Sequence, residues 1–143
     1  GREMSEASQN NVGLMLRIVD ELEGVTDQAY SLALIIERSR KKDVALPKDE
    51  IDSLQPYGLI VEQFLRFVSD NVNKPITEAQ LAVAAEYEDK IDAMRDELKK
   101  RARKRLSAGA EVKAELAIID LVRHIEKIGD HAFGVARALR EFR

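Results

Sequence analysis

The chain has no cysteine, only three prolines and seven glycines, and two histidines in 143 residues. Without cysteine there are no disulfides, no thiolate metal ligands and no cysteine nucleophile. No apolar run approaches the roughly 18 residues of a membrane span, and no signal peptide is visible. Also missing are a Gly-rich phosphate loop, a Ser/His/Asp constellation and a basic strip studded with aromatics. These absences argue against an enzyme and against a nucleic-acid partner. So few breakers leave room for long helices.

What is there is a core and a solvated exterior. Hydrophobic residues make up 45% and charged residues 34%, a length and balance that suit one domain. Gly1 looks like the scar of a removed tag. Residues 1–7 are therefore expected to be a tag scar or disordered N-terminus, and residues 8–143 the domain. The net charge of −3 conceals a split: residues 1–98 hold 11 basic and 20 acidic side chains, residues 99–143 hold 12 and 6. Much of the positive excess is the run Lys99, Lys100, Arg101, Arg103, Lys104 and Arg105.

Breaks at Asp43–Lys48, Asn71–Ile76 and Ser107–Ala110 separate four stretches of helical apolar spacing. The spacing predicts helices over about 8–41, 48–71, 77–106 and 110–141. Met15, Ile18, Leu22, Val25, Ala29, Leu32, Ala33 and Ile36 form the main stripe of the first. Leu59, Ile60, Phe64, Phe67 and Val68 line the second, where Ser53 is an N-cap with Pro56 in the first turn or the helix kinks. A capping box, Thr77 to Gln80, opens the third, and Gly109 fits its stop. The basic run falls in its last turns, where cations complement the helix dipole. Ile118, Leu121, Val122, Ile125, Ala132, Val135, Ala136 and Leu139 mark the fourth. Long amphipathic helices with short connections predict an all-α, antiparallel up-and-down bundle.

The first and fourth helices resemble each other at an offset of 103 residues: Leu14–Ile36 reads LMLRIVDELEGVTDQAYSLALII and Ala117–Leu139 reads AIIDLVRHIEKIGDHAFGVARAL. The identities include two acids, Glu23/Glu126 and Asp27/Asp130, which core packing does not require. At about 100° per residue, the two acids of each helix share one face. In the first helix they interrupt a second apolar strip of Leu16, Val19, Tyr30 and Leu34. In the fourth, Ile119, Val122 and Phe133 flank them. Like charges at i, i+4 repel, and apolar neighbours raise the cost of ionisation; a hard cation relieves both. Carboxylate-only ligation suits Mg²⁺, Mn²⁺, Ca²⁺ or iron. The bland alternative is a solvated face, or pairing with Arg17, Arg123 or Arg137. A third E-x-x-x-D, Glu88 and Asp92, borders the stripe of the third helix, in a segment acidic enough to produce that spacing by composition.

The segment HIEKIGDHAFGVA resembles the signature of PhoU-type phosphate-regulatory proteins, and LEGVTDQAYSLA is similar to a weaker second copy. Lys127 departs from the usual Arg; in the first copy Gly24 stands where the family prefers Arg, and Gln28 where it prefers His or Tyr. The resemblance implies tandem three-helix repeats, with the last helix of one followed by a complete second. It also implies metal clusters, iron among them, held by E-x-x-x-D acids. The arrangement is similar to the cytosolic C-terminal region of bacterial Na⁺/phosphate cotransporters. That likeness implies a regulatory, non-enzymatic role in phosphate transport, at the cytoplasmic face of the plasma membrane. The implied partner is a transporter membrane region, in the same full-length chain for the cotransporter type. The basic run Lys99–Arg105 would then suit peripheral contact with anionic lipid.

Two other readings use the same residues. A metal-free interaction scaffold would use the second apolar strip as a partner or homodimer face. A histidine phosphotransfer domain would use His124, expected to be exposed, with Lys127 beside it; Ile128 and Glu126 disturb that pattern. A ferritin-like di-metal oxidase needs Glu-x-x-His pairs, and none occurs.

Overall fold

The computed structural model describes residues 5–42 and 44–142. Among the described residues there are five helices and no strand: α1 (Glu6–Lys41), α2 (Lys48–Ser53), α3 (Gln55–Asn71), α4 (Glu78–Ser107) and α5 (Val112–Glu141). Of the expected 1–7 segment, residues 1–4 lie outside the described residues. Ser5 caps α1 by accepting from the Ser8 N–H, so residues 6 and 7 are already helical.

The expected second helix is two helices. Pro56 has no N–H for the carbonyl one turn back, and the chain breaks at Leu54. Pro56 sits in the first turn of α3, but Ser53 does not cap it; its hydroxyl donates back to the Glu50 carbonyl at 2.5 Å. The capping box of α4 forms in full, with Thr77 N–H to Gln80 Oε1 at 2.8 Å and Gln80 N–H to Thr77 Oγ1 at 3.1 Å. Gly109, at φ 92°, takes the left-handed conformation that turns the chain into α5.

Cross-helix bonds set the topology. His131 meets Glu21 and His124 meets Gln28, so α1 and α5 run antiparallel. Arg105 reaches Glu115 and Arg95 reaches Glu126, so α4 and α5 do too. Tyr57 at the start of α3 donates to the Val122 carbonyl, and the Ile76 N–H beyond its end donates to Leu139, so α3 runs parallel to α5. The product is an up-and-down bundle with α5 as its hub, packed against α1, α3 and α4. Tyr57, Phe64, Ile91, Ile118, Val122 and Val135 are fully buried. The Phe64 ring stacks on Tyr87, centroids 5.1 Å apart.

Helix α1 buries only part of the stripe expected of it: Ile18 is buried, and Val25 and Leu32 are half-buried. Met15, Leu22 and Ile36 are exposed, as are Ala29 and Ala33. The side facing α5 carries Leu14, Ile18, Glu21, Val25, Gln28, Leu32, Ile35 and Ser39, in alternating steps of four and three. Three of these are polar, so a search for apolar residues passes over this stripe for its neighbours. Glu21 and Gln28 are tolerated because α5 supplies partners, as the histidine bonds show.

Candidate metal centre

Helical spacing first gathers the acids of α4. Glu88, Asp92 and Asp96 recur every fourth residue, with Arg95 between the last two, so all four share one face. Antiparallel packing then lays α5 alongside and brings Asp130 to the same place. Glu88, Asp92 and Asp130 each present a carboxylate oxygen, all within 4.8 Å of one another. Asp130 is exposed; Glu88 and Asp92 are half-buried.

Burial and mutual repulsion make full ionisation of this group unfavourable. One Glu88 oxygen, Oε2, is buried and has no hydrogen-bond partner. The Glu88 carboxyl as a whole neighbours Asp130, another carboxyl, and can bond it only by holding a proton. Burial first, then that shared proton and repulsion from Asp130, Asp92 and Glu126, push Glu88 up to about 8. Burial also raises Asp92, against the opposing pull of Arg95. Beneath the cluster, burial and then Glu126 push the Tyr57 hydroxyl up.

Glu126 is in different company. It is bonded by Arg95, whose Nη1 also lies 3.3 Å from Asp92 Oδ1 and whose Nε lies 2.9 Å from Asp96 Oδ1. Burial nevertheless outweighs Arg95 and raises Glu126. The E-x-x-x-D of α5 is thus divided: Asp130 joins the triad, and Glu126 joins an arginine. On α1, Glu23 and Asp27 are both exposed and meet neither group. The sequence-level alternatives Arg17, Arg123 and Arg137 do not hold these acids: Arg17 pairs with Glu141, Arg123 with Asp120, and Arg137 lies over the Phe133 ring. The residue missed was Arg95. Its one sequence signal is its place a turn after Asp92 on the acidic face.

A family model described as PhoU domain matches residues 61–139, more than half of the chain. The chain belongs to the PhoU family. The PhoU match covers Glu88, Asp92, Arg95, Glu126 and Asp130 and leaves out Glu23 and Asp27. The comparisons with curated proteins and with solved structures give no match. Among the described residues, no helix of this PhoU chain is long and apolar enough to cross a membrane.

The two histidines serve the α1–α5 seam. His124 is half-buried, not exposed as expected, with Nδ1 2.5 Å from Gln28 Oε1. Burial lowers its pKa. His131 Nδ1 lies 2.8 Å from Glu21 Oε2. The 103-residue offset maps Glu21 onto His124 and Gln28 onto His131. The two bonds are therefore images of each other, and the seam follows the repeat with an approximate twofold relation. Gly24 admits this packing: a Cβ there would lie 2.5 Å from the His131 ring.

Proposed function

We propose that this chain is a regulatory, non-enzymatic domain of phosphate transport that binds a hard cation at Glu88, Asp92 and Asp130. The observation that carries the reading is the convergence of three carboxylates from two helices around a buried, unpartnered Glu88 oxygen. Oxygen-only donors suit Mn²⁺, Mg²⁺, Ca²⁺ or iron. These residues fit such an ion, which would set a positive charge between Glu88 and Asp130, beyond the pairing of Asp92 with Arg95, and tie α4 to α5. A partner could then read the relative position of the two helices. The membrane region of a phosphate transporter is the partner the family suggests, with the domain at the cytoplasmic face. The exposed Lys100, Arg103 and Lys104 on α4 are the charges that anionic headgroups would meet.

Metal analysis after incubation with Mn²⁺ and desalting tests this. Wild type should retain about one ion or more per chain, and Glu88→Gln/Asp130→Asn should lose it. Equal, negligible metal in both removes the site.

A second reading has its own observation. Helix α1 exposes Met15, Leu16, Val19 and Tyr30 at 58–66%. Such a face suits a scaffold that docks a partner or a second copy without any metal. Sedimentation of the wild type and of Leu16→Glu/Val19→Glu would show whether it self-associates.

A further inference from the structure

The proposed cation site has an arginine inside its carboxylate cluster, and this residue has a role the site reading does not assign. Arg95 spends one guanidinium on three acids: Asp92, which belongs to the triad; Glu126, which does not; and Asp96, one residue further along α4. The Arg95 and Glu126 side chains are 24% and 16% exposed, so their pairing is well shielded, whereas Asp96 is 71% exposed. Glu126 lies one helical turn from Asp130 and is the nearest further carboxylate of α5, yet it stands outside the triad.

Resting on the reading that Glu88, Asp92 and Asp130 bind a cation, we propose that Arg95 is a displaceable counter-ion that holds Glu126 out of the ligand set until a metal enters. Two facts drive the exchange. A cation among the triad shares Asp92 with the guanidinium, so the two positive charges repel across one carboxylate. The guanidinium also has somewhere to go: its Nε bond to the exposed Asp96 can persist while the fork leaves Glu126 and turns toward water. Once released, Glu126 is free to become a fourth oxygen donor, completing the E-x-x-x-D pair with Asp130. Arg95 is therefore a positioning residue that sets the affinity threshold of the site, because every metal ion must first outcompete it.

Calorimetric titration of the full chain with Mn²⁺, for wild type, Arg95→Gln and Arg95→Gln/Glu126→Gln, tests the exchange. Arg95→Gln should bind Mn²⁺ roughly tenfold more tightly than wild type, and the added Glu126→Gln should return affinity to near the wild-type value. A readout on the unmutated chain accompanies this, in case Arg95→Gln folds poorly. Phenylglyoxal, an arginine-specific reagent, should modify Arg95 several-fold faster with Mn²⁺ than without, read by peptide mass spectrometry. Mn²⁺ binding with unchanged Arg95 modification and no gain in Arg95→Gln overturns the counter-ion role and leaves the site standing. No Mn²⁺ binding by any of the three overturns both.

Discussion

Raising the pH of the chelator-treated protein from 6.5 to 8 should weaken it, and the cause is a single proton on Glu88. In the unfolded chain this carboxyl ionises near 4.5, whereas in the fold it holds its proton up to about 8. Between those values the unfolded state binds fewer protons than the native state, so stability falls as pH rises and levels off above 8. Asp92, Glu126 and Glu50 are raised as well, so their contributions carry the same sign. His124 acts at the other end. Its pKa is lowered from 6.5, so its contribution is lost as pH falls below that value and is constant above it. One uncompensated proton is worth about 1.36 kcal/mol per pH unit, or about 2 kcal/mol across this window. The cluster opens to water at Asp130, so screening reduces the expected loss to about 1 kcal/mol. Urea unfolding followed by far-UV circular dichroism should show the midpoint falling by about 0.5 M. Glu88→Gln should remove most of that slope and be the more stable protein at pH 8. Saturating Mn²⁺ should reverse the slope, because a bound ion requires the ionised carboxylates. A wild-type midpoint that does not move between pH 6.5 and 8, or a slope that survives intact in Glu88→Gln, refutes the electrostatic account of the site.

Two further perturbations probe the frame that holds the site. Arg105 bonds the almost fully buried Glu115 and also pairs with Glu50 at 2.7 Å. Arg105→Ala strands two neighbouring carboxylates and should cost about 3–5 kcal/mol in urea unfolding; a cost under about 1 kcal/mol would show that water or a proton compensates. Gly24→Ala puts a methyl group into the His131 ring and should destabilise by about 1–3 kcal/mol. The same change should break the Glu21–His131 bond, seen as a changed His131 ring resonance in NMR.

Much of the bundle was legible because helices announce themselves locally. Proline and glycine placed the breaks, the capping box marked the start of α4, and the stripe of α5 is buried as its spacing indicated. The register of α1 was not legible. Its inward face holds Glu21 and Gln28, and only the imidazoles of α5 make those acceptable there. Leu59 misled in the same way, counted on the apolar side of its helix and found exposed. Glu88, Asp92 and Asp130 were each singled out as acids on a helix face. That these three meet, that Arg95 takes Glu126, and that Glu23 and Asp27 stay apart follow from which helices touch.

The amino-acid order alone determined the helical stretches, apart from the break at Leu54, and the repeated acids on their faces. These depend on periodicity and residue chemistry within one or two turns. Only the tertiary structure decided which carboxylates share a space and which is neutralised by an arginine. Those outcomes depend on the antiparallel register of α4 on α5, set by packing between side chains some 30 to 40 positions apart in the chain. Periodicity within a single helix carries no information about such a distance.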